Sequence, residues 1–386
     1  MTIDEIPVER LHILNKNSKK VESLSDIRAQ LIDLALKGLR NMYDEEKGLF
    51  CFRVVERNGN CVREGLSLRY TLITLLGLEK ARRSGLKIPF DLEELFKRAL
   101  VFSKEISDIG DYGLLLWTTS NISPQMLPGL TDESTLTGML RASKSARENK
   151  TMEMAWFLTG LCYALRESNR NKGILENIAK RAYSLLMHNY GGKGIFGHSN
   201  RKSLKGILRA GIGTFADQVY PILALVEYGN VFGENESKLV ALQCAERICQ
   251  LQGPLGQWWW HYDSKTGNVL CKYPVYSVHQ DGMAPMALNA TANNIGGEFR
   301  GSIQKSLEWL TGTNELSRNM VVLDKSLIWR SVFPGKFETY YHEMLAMIKG
   351  SEDDKENYRL MLNRECRPYH LGWILFALSK NQEPSI

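Results

Sequence analysis

Between Gly253 and Leu288 the chain reads GPLGQWWWHYDSKTGNVLCKYPVYSVHQDGMAPMAL, with three consecutive tryptophans, two histidines and two aspartates. A hydrophobic core has no use for that mixture. His279 and Asp281 carry groups suited to general acid–base chemistry, Gln280 can hold a ligand through its amide, and Trp259, Trp260, His261 and Tyr276 offer flat surfaces for stacking. Lys265, Thr266 and Gly267 separate the aromatic run from an alternating run, Val269 to Tyr276, which predicts a β-hairpin. Ser277 is placed to cap a helix whose first turn holds His279, Gln280 and Asp281. If residues 258–262 are extended, Trp259 and His261 share one face, and Trp258, Trp260 and Tyr262 share the other. The plainer reading of Asp281 is that it complements the positive end of its own helix.

The same combination, a polar cluster followed by an apolar helical run, recurs along the chain. Asp217 and Gln218 open one run, Glu153 and Trp156 head MEMAWFLTGLCYAL, and Arg69 and Tyr70 precede TLITLLGL. Tyr341, His342 and Glu343 open another, and Tyr369 and His370 the last. Asp281, His279, Asp217, Glu153, His342 and Glu343 are therefore candidate acids and bases. Arg69, Tyr70, Trp156, Gln218, Gln280, Tyr341, Tyr369 and His370 join the aromatic residues as candidate substrate-binding groups. Each also has a structural reading: Asp217 as an acidic first turn, Glu153 as half of an ion pair with Arg69 or Arg209, the Tyr and His groups as hydrogen-bonding partners. Position favours a site, since His261, His279, His342 and His370 all fall in these segments. Buried helices tolerate ionisable groups only where they are paired or face a wet cavity.

Helical periodicity recurs in pairs that can position such groups. Amphipathic, outer-type segments are predicted at residues 25–43, 91–106, 134–148, 172–188, 236–251, 299–311 and 352–362. Their apolar partners begin at Ser67 and near Tyr112, Thr151, Thr214, Ser277, Glu338 and Arg367. Short strands are expected only in the connecting loops, as at Asn58-Gly59, a two-residue hairpin signal. The predicted architecture is all-α, an α/α toroid of about six to seven helical hairpins with short β-hairpins in the loops at one mouth. It is expected as a single domain over residues 25–380, with an N-terminal extension (1–24) and a C-terminal tail (381–386).

Composition narrows the function classes. The 386 residues carry a net charge of +6, but the basic residues are scattered rather than gathered into a stripe, so no nucleic-acid partner is expected. No apolar run approaches the ~20 residues of a membrane span, and the acidic residues near the N-terminus do not fit a signal peptide, so a cytoplasmic location is the expectation. Seven cysteines without a CxxC argue against a disulfide framework or a local metal site. A P-loop, a dinucleotide-binding fingerprint and a GxSxG elbow are all absent, so no cofactor is expected.

The helix-pair layout with its glycine and aromatic hairpins resembles the α/α-toroid group: six-hairpin glycosidases, polysaccharide lyases, sugar epimerases, terpenoid cyclases and lanthionine cyclases. The run at 256–263, GQWWWHYD, is similar to the aromatic loops with which glycan-active members hold sugar rings. Gln252, Gly256 and Trp258 match the tail of the QW motif of squalene-hopene-type cyclases, without the DxDD acid of those enzymes. The resemblance implies a carbohydrate-active hydrolase, lyase or epimerase that acts on an oligosaccharide or a uronic-acid-containing glycan. The alternatives are a terpenoid cyclase or prenyl-binding protein with an aromatic-lined cavity, and a non-catalytic helical-repeat binding module.

Overall fold

The computed structural model describes residues 24–145, 149–168, 170–199, 210–335, 338 and 359–379. Outer and inner helices alternate along the chain. The outer ones are α1 (Leu24–Met42), α3 (Leu92–Leu100), α5 (Glu133–Ser145), α7 (Lys172–Met187), α9 (Asn235–Gln250) and α11 (Arg300–Leu310). Their inner partners are α2 (Leu68–Arg83), α4 (Ile109–Ile122), α6 (Thr151–Glu167), α8 (Ala216–Phe232), α10 (Ala284–Asn294, entered through a π-turn at His279–Met283) and α12 (Pro368–Leu378). The inner helices are apolar on nearly every side: on α8, each residue from Asp217 to Gly229 is buried. Such helices are stable only when surrounded by other helices. Each inner helix touches the next, and α12 packs back on α2, so among the described residues the ring closes with six.

Two of these contacts depend on glycine. A Cβ on Gly160 of α6 would lie 2.2 Å from the Gly113 carbonyl oxygen of α4, and one on Gly77 of α2 would lie 2.0 Å from the Gly372 carbonyl oxygen of α12. Aromatics of three inner helices pack together inside the ring: Trp117 of α4 lies 5.9 Å from Trp373 of α12 and 5.3 Å from Tyr163 of α6, and both tryptophans are fully buried.

Every described strand lies in a connection from an outer helix to the next inner one. The strands β2 (Leu49–Arg57) and β3 (Asn60–Leu66) form the hairpin expected at Asn58-Gly59, both turn residues having positive φ. Flanking β2 are β1 (Tyr43–Asp44) and β12 (Glu365–Cys366). A second sheet joins β4 (Ile212–Thr214), β5 (His261–Asp263) and β6 (Asn268–Cys271); a third joins β7 (Val275–Tyr276), β10 (Ser331–Pro334) and β11 (Leu360–Asn363); β8 (Val321–Val322) pairs with β9 (Leu327–Ile328). The connections at the other end carry no strand among the described residues, and the one between α4 and α5 holds a short 3₁₀ segment, Pro124–Gly129. All described strands therefore sit where the inner helices begin.

Three expectations need correction. The helix expected over 352–362 does not run through its end, because Leu360–Asn363 pairs with β10 as a strand. The rest of that segment and the partner expected near Glu338 lie almost wholly outside the described residues. Residues 258–260 lie outside the strand, which begins only at His261; the loop before them passes through Gly256, where φ is +95° and a Cβ would lie 2.3 Å from the Lys305 carbonyl oxygen. Ser277 does not cap the following helix, because its hydroxyl donates to the Trp329 carbonyl at 2.6 Å. Among the described residues no helix is long and apolar enough to cross a membrane.

The glycine crossing is testable by denaturation. Gly160→Ala is expected to lose about 1–3 kcal/mol of stability through overpacking, whereas Gly301→Ala, in open space on α11, is expected to leave stability unchanged or slightly raised.

Candidate active site

A cavity of about 190 Å³ opens where the inner helices begin. Arg69, Tyr70 and Ile73 reach it from α2, Met152 and Trp156 from α6, Ala216 and Tyr220 from α8, His279 and Met283 from the π-turn, and Tyr369 from α12. Trp260 and Arg330 from loops and Tyr276 from β7 complete the wall. All the helical contributors stand within the first two turns of their helices, so the positive ends of the helix dipoles converge on this space. A larger groove, about 810 Å³, lies at the opposite end between α1, α11 and the ends of α10 and α12. It includes Arg28, Arg300 and Glu298 but no histidine, tyrosine or tryptophan, so its chemistry is poorer.

Arg330 is held from several sides. Its backbone N–H donates to the Asn363 carbonyl, its own carbonyl accepts from Ser277 N–H, and its guanidinium lies 5.0 Å over the Tyr276 ring. One guanidinium nitrogen donates to Glu365 Oε1 at 2.7 Å. Arg53 and Arg367 bond to the same carboxylate. Burial works to raise the proton affinity of Glu365, but the charges of Arg330 and Arg367 outweigh it and hold the carboxyl below its usual range. Arg367 also donates to the Tyr70 hydroxyl at 2.6 Å. On the other side of the cavity Arg69 pairs with Asp111 and Asp108 and lies 5.5 Å over Trp156.

His279 is the titratable imidazole in the wall. It is 4% exposed, and its ring lies 5.2 Å from that of Tyr276 and stacks with Trp260 at 6.2 Å. Burial, reinforced by the charge of Arg330, lowers its pKa to about 3, so the ring is neutral. The π-turn that presents it has a local cause. Pro285 has no N–H to give to the carbonyl four residues back, and the Ala284 N–H bonds instead to the His279 carbonyl, five back.

One layer behind the wall, both oxygens of Asp281 stand 2.8 Å from His370 Nε2 and tie the π-turn to α12. Burial raises the proton affinity of Asp281 against the pull of His370. Gln280 is fully buried and donates to the Tyr276 carbonyl. Asp217 and Gln218 face away from the cavity wall. Asp217 accepts from Met152 N–H, Thr214 N–H and the Thr214 hydroxyl, and meets His198 Nδ1 at 3.0 Å; Gln218 bonds to both backbone groups of Phe196. Glu153 pairs with Lys150 at 3.0 Å at the cavity's edge, where burial and the neighbouring Asp108 raise its proton affinity.

The tryptophan run divides three ways. Trp258 enters the core against Phe215, Trp259 packs edge-on to Tyr273, and Trp260 faces the cavity. His261 is buried in β5 next to Trp260. Tyr341, His342 and Glu343 lie outside the described residues. The sequence reading brought Arg69, Tyr70, Trp156, Trp260, Tyr276, His279 and Tyr369 to one place but missed Arg330 and its anchor Glu365. A lone arginine inside the apolar run SLIWRSVF was the available signal.

No protein-family model matches the sequence, and no curated protein matches it. Solved structures do match. An unsaturated glucuronyl hydrolase specific for heparin superposes with a TM-score of 0.59 at 13% identity, over 92% of this chain and 95% of that one. A sugar epimerase from a ruminal bacterium gives 0.58 at 12% identity, over 92% and 97%. An unsaturated glucuronyl hydrolase from Streptococcus agalactiae gives 0.55 at 11%, over 99% and 98%. At these identities the likeness is one of fold, an α/α toroid.

His279 gives the site a pH signature. The folded ring stays unprotonated down to about pH 3, whereas a histidine in the unfolded chain protonates near ~6.5. Between these values the unfolded chain binds more protons, so stability rises with pH through the window and is lost as pH falls. His279→Asn is expected to flatten the dependence of unfolding free energy on pH between about 4 and 6 by up to about 1.4 kcal/mol per pH unit, read by urea denaturation at stepped pH.

Proposed function

We propose that the protein is a carbohydrate-active enzyme that acts on an acidic sugar by proton transfer at the carbon next to its carboxylate, the chemistry of a lyase or epimerase. The carrying observation is the composition of the cavity wall: two arginines, four tyrosines and a neutral histidine, with no carboxylate among the described lining residues. Removing a proton α to a carboxylate demands a cation to stabilise the charge that develops on the carboxylate oxygens, and Arg330, backed by Glu365, is suited to that role. It demands a base and an acid within reach, and His279 with Tyr276 or Tyr369 supplies that pair. Trp156 and Trp260 give the sugar ring apolar faces. The volume, below the roughly 300–1,000 Å³ usual for drug-sized ligands, suits one sugar residue better than a terpene chain.

The charge of Arg330 explains how so weak a base would serve. That charge helps to depress the His279 pKa, and a substrate carboxylate paired with Arg330 would cancel it. Substrate binding would thereby raise the proton affinity of the imidazole at the moment a base is needed.

A second reading has its own support. Glu153, next in sequence to the wall residue Met152, is a carboxyl whose proton affinity is raised by burial and by the neighbouring Asp108, an arrangement suited to the general acid of a hydrolase. Exchange of the sugar's α-hydrogen in D₂O, followed by proton NMR on uronic-acid oligosaccharides, separates the two. Exchange is expected in the wild type and to fall at least about 100-fold in His279→Asn and Arg330→Ala, with Glu153→Gln close to wild type. Loss of turnover in Glu153→Gln with His279→Asn still active would favour the hydrolase.

A further inference from the structure

The hairpin β2–β3 carries one aromatic side chain that its fold does not require. Along β2 the residues Phe50, Phe52 and Val54 share a face, by the period-two geometry of a strand. Phe50 and Val54 are buried in the core, yet Phe52 between them is 37% exposed. Phe52 lies instead against the head of α2. Its ring stacks on Tyr70, with centroids 5.4 Å apart and planes 13° from parallel, and Tyr70 in turn meets Tyr369 at 4.6 Å. Tyr70 and Tyr369 both belong to the cavity wall, so three aromatic rings run in series from the cavity to the surface. The Arg367 guanidinium lies 4.5 Å over Phe52. On β3 the residue opposite is Gly65, with φ +62°, which leaves no side chain beside the phenylalanine.

We infer that Phe52, with Tyr70 and Arg367, forms a second sugar position next to the cavity, occupied by the neighbouring residue of an acidic oligosaccharide whose terminal uronate sits at Arg330. The inference rests on the cavity reading above and extends it to substrate length. An apolar ring open on one side binds the carbon face of a pyranose, as aromatic side chains do generally. A guanidinium beside it selects for a negatively charged or oxygen-rich neighbour. The ring series, with centroid steps of 5.4 and 4.6 Å, joins this position to the cavity wall.

Binding by calorimetry, with glucuronate and a hyaluronan tetrasaccharide as probes, tests this on the full chain. The wild type is expected to bind the tetrasaccharide more tightly than glucuronate. Phe52→Ala is expected to weaken tetrasaccharide binding about fivefold and leave glucuronate unchanged, while Phe52→Trp retains the difference; circular dichroism checks that both variants fold. If Phe52→Ala weakens both probes equally, or neither, the second position is wrong while the cavity reading stands. If the wild type binds neither probe, the cavity reading fails and takes this one with it.

Discussion

Six inner helices run in one sense around the ring, so six N-terminal ends, each with unbonded N–H groups and a partial positive charge, meet at one mouth. That constraint governs the distribution of charge in the molecule. Asp111, Glu153, Asp217 and Asp281 stand at the heads of their segments, and each is committed to a nearby partner: Arg69, Lys150, the Thr214 and Met152 amides, and His370. The carboxylates answer the helices. What remains facing the open space is a set of arginines, tyrosines and one neutral imidazole, a surface suited to an anion.

Glu365 makes the balance explicit. It and Glu64 face four guanidiniums, those of Arg53, Arg57, Arg330 and Arg367. Two negative charges therefore organise four positive ones, of which Arg330 reaches the cavity wall. The arrangement spans the chain, because β12, which carries Glu365, pairs with β2 of the first hairpin. Ring closure between α2 and α12 brings those distant segments together and assembles the basic side of the site. Behind the wall residue Tyr220, Trp373 packs at 5.8 Å and in turn meets Trp117 at 5.9 Å, so buried aromatic rings back the cavity.

Much of this is legible in the sequence. Apolar helices with polar heads announce a ring whose functional groups gather at one end, and Asn58-Gly59 announces its hairpin. The histidine and aspartate of HQDG looked equivalent in sequence, yet they divide: the π-turn at Pro285 sends His279 to the cavity wall and Asp281 into a buried pair. Asp217 and Gln218 repeated the motif without sharing its surroundings, and only the tertiary hydrogen bonds to Thr214, Met152 and Phe196 distinguish them. Arg330 was unreadable for the opposite reason. Its importance comes from Arg53, Arg330 and Arg367 converging on Glu365 from segments brought together only by the fold, and no local spacing encodes that.

The central claim is that the mouth of the ring receives a carboxylate at Arg330. A crystal structure of the protein with glucuronate tests it most directly. The account predicts the sugar in the cavity, its carboxylate within hydrogen-bond distance of the Arg330 guanidinium and its ring against Trp156 or Trp260. A sugar seated instead in the opposite groove near Arg28 and Arg300, or in the cavity with its carboxylate turned to solvent, would contradict it.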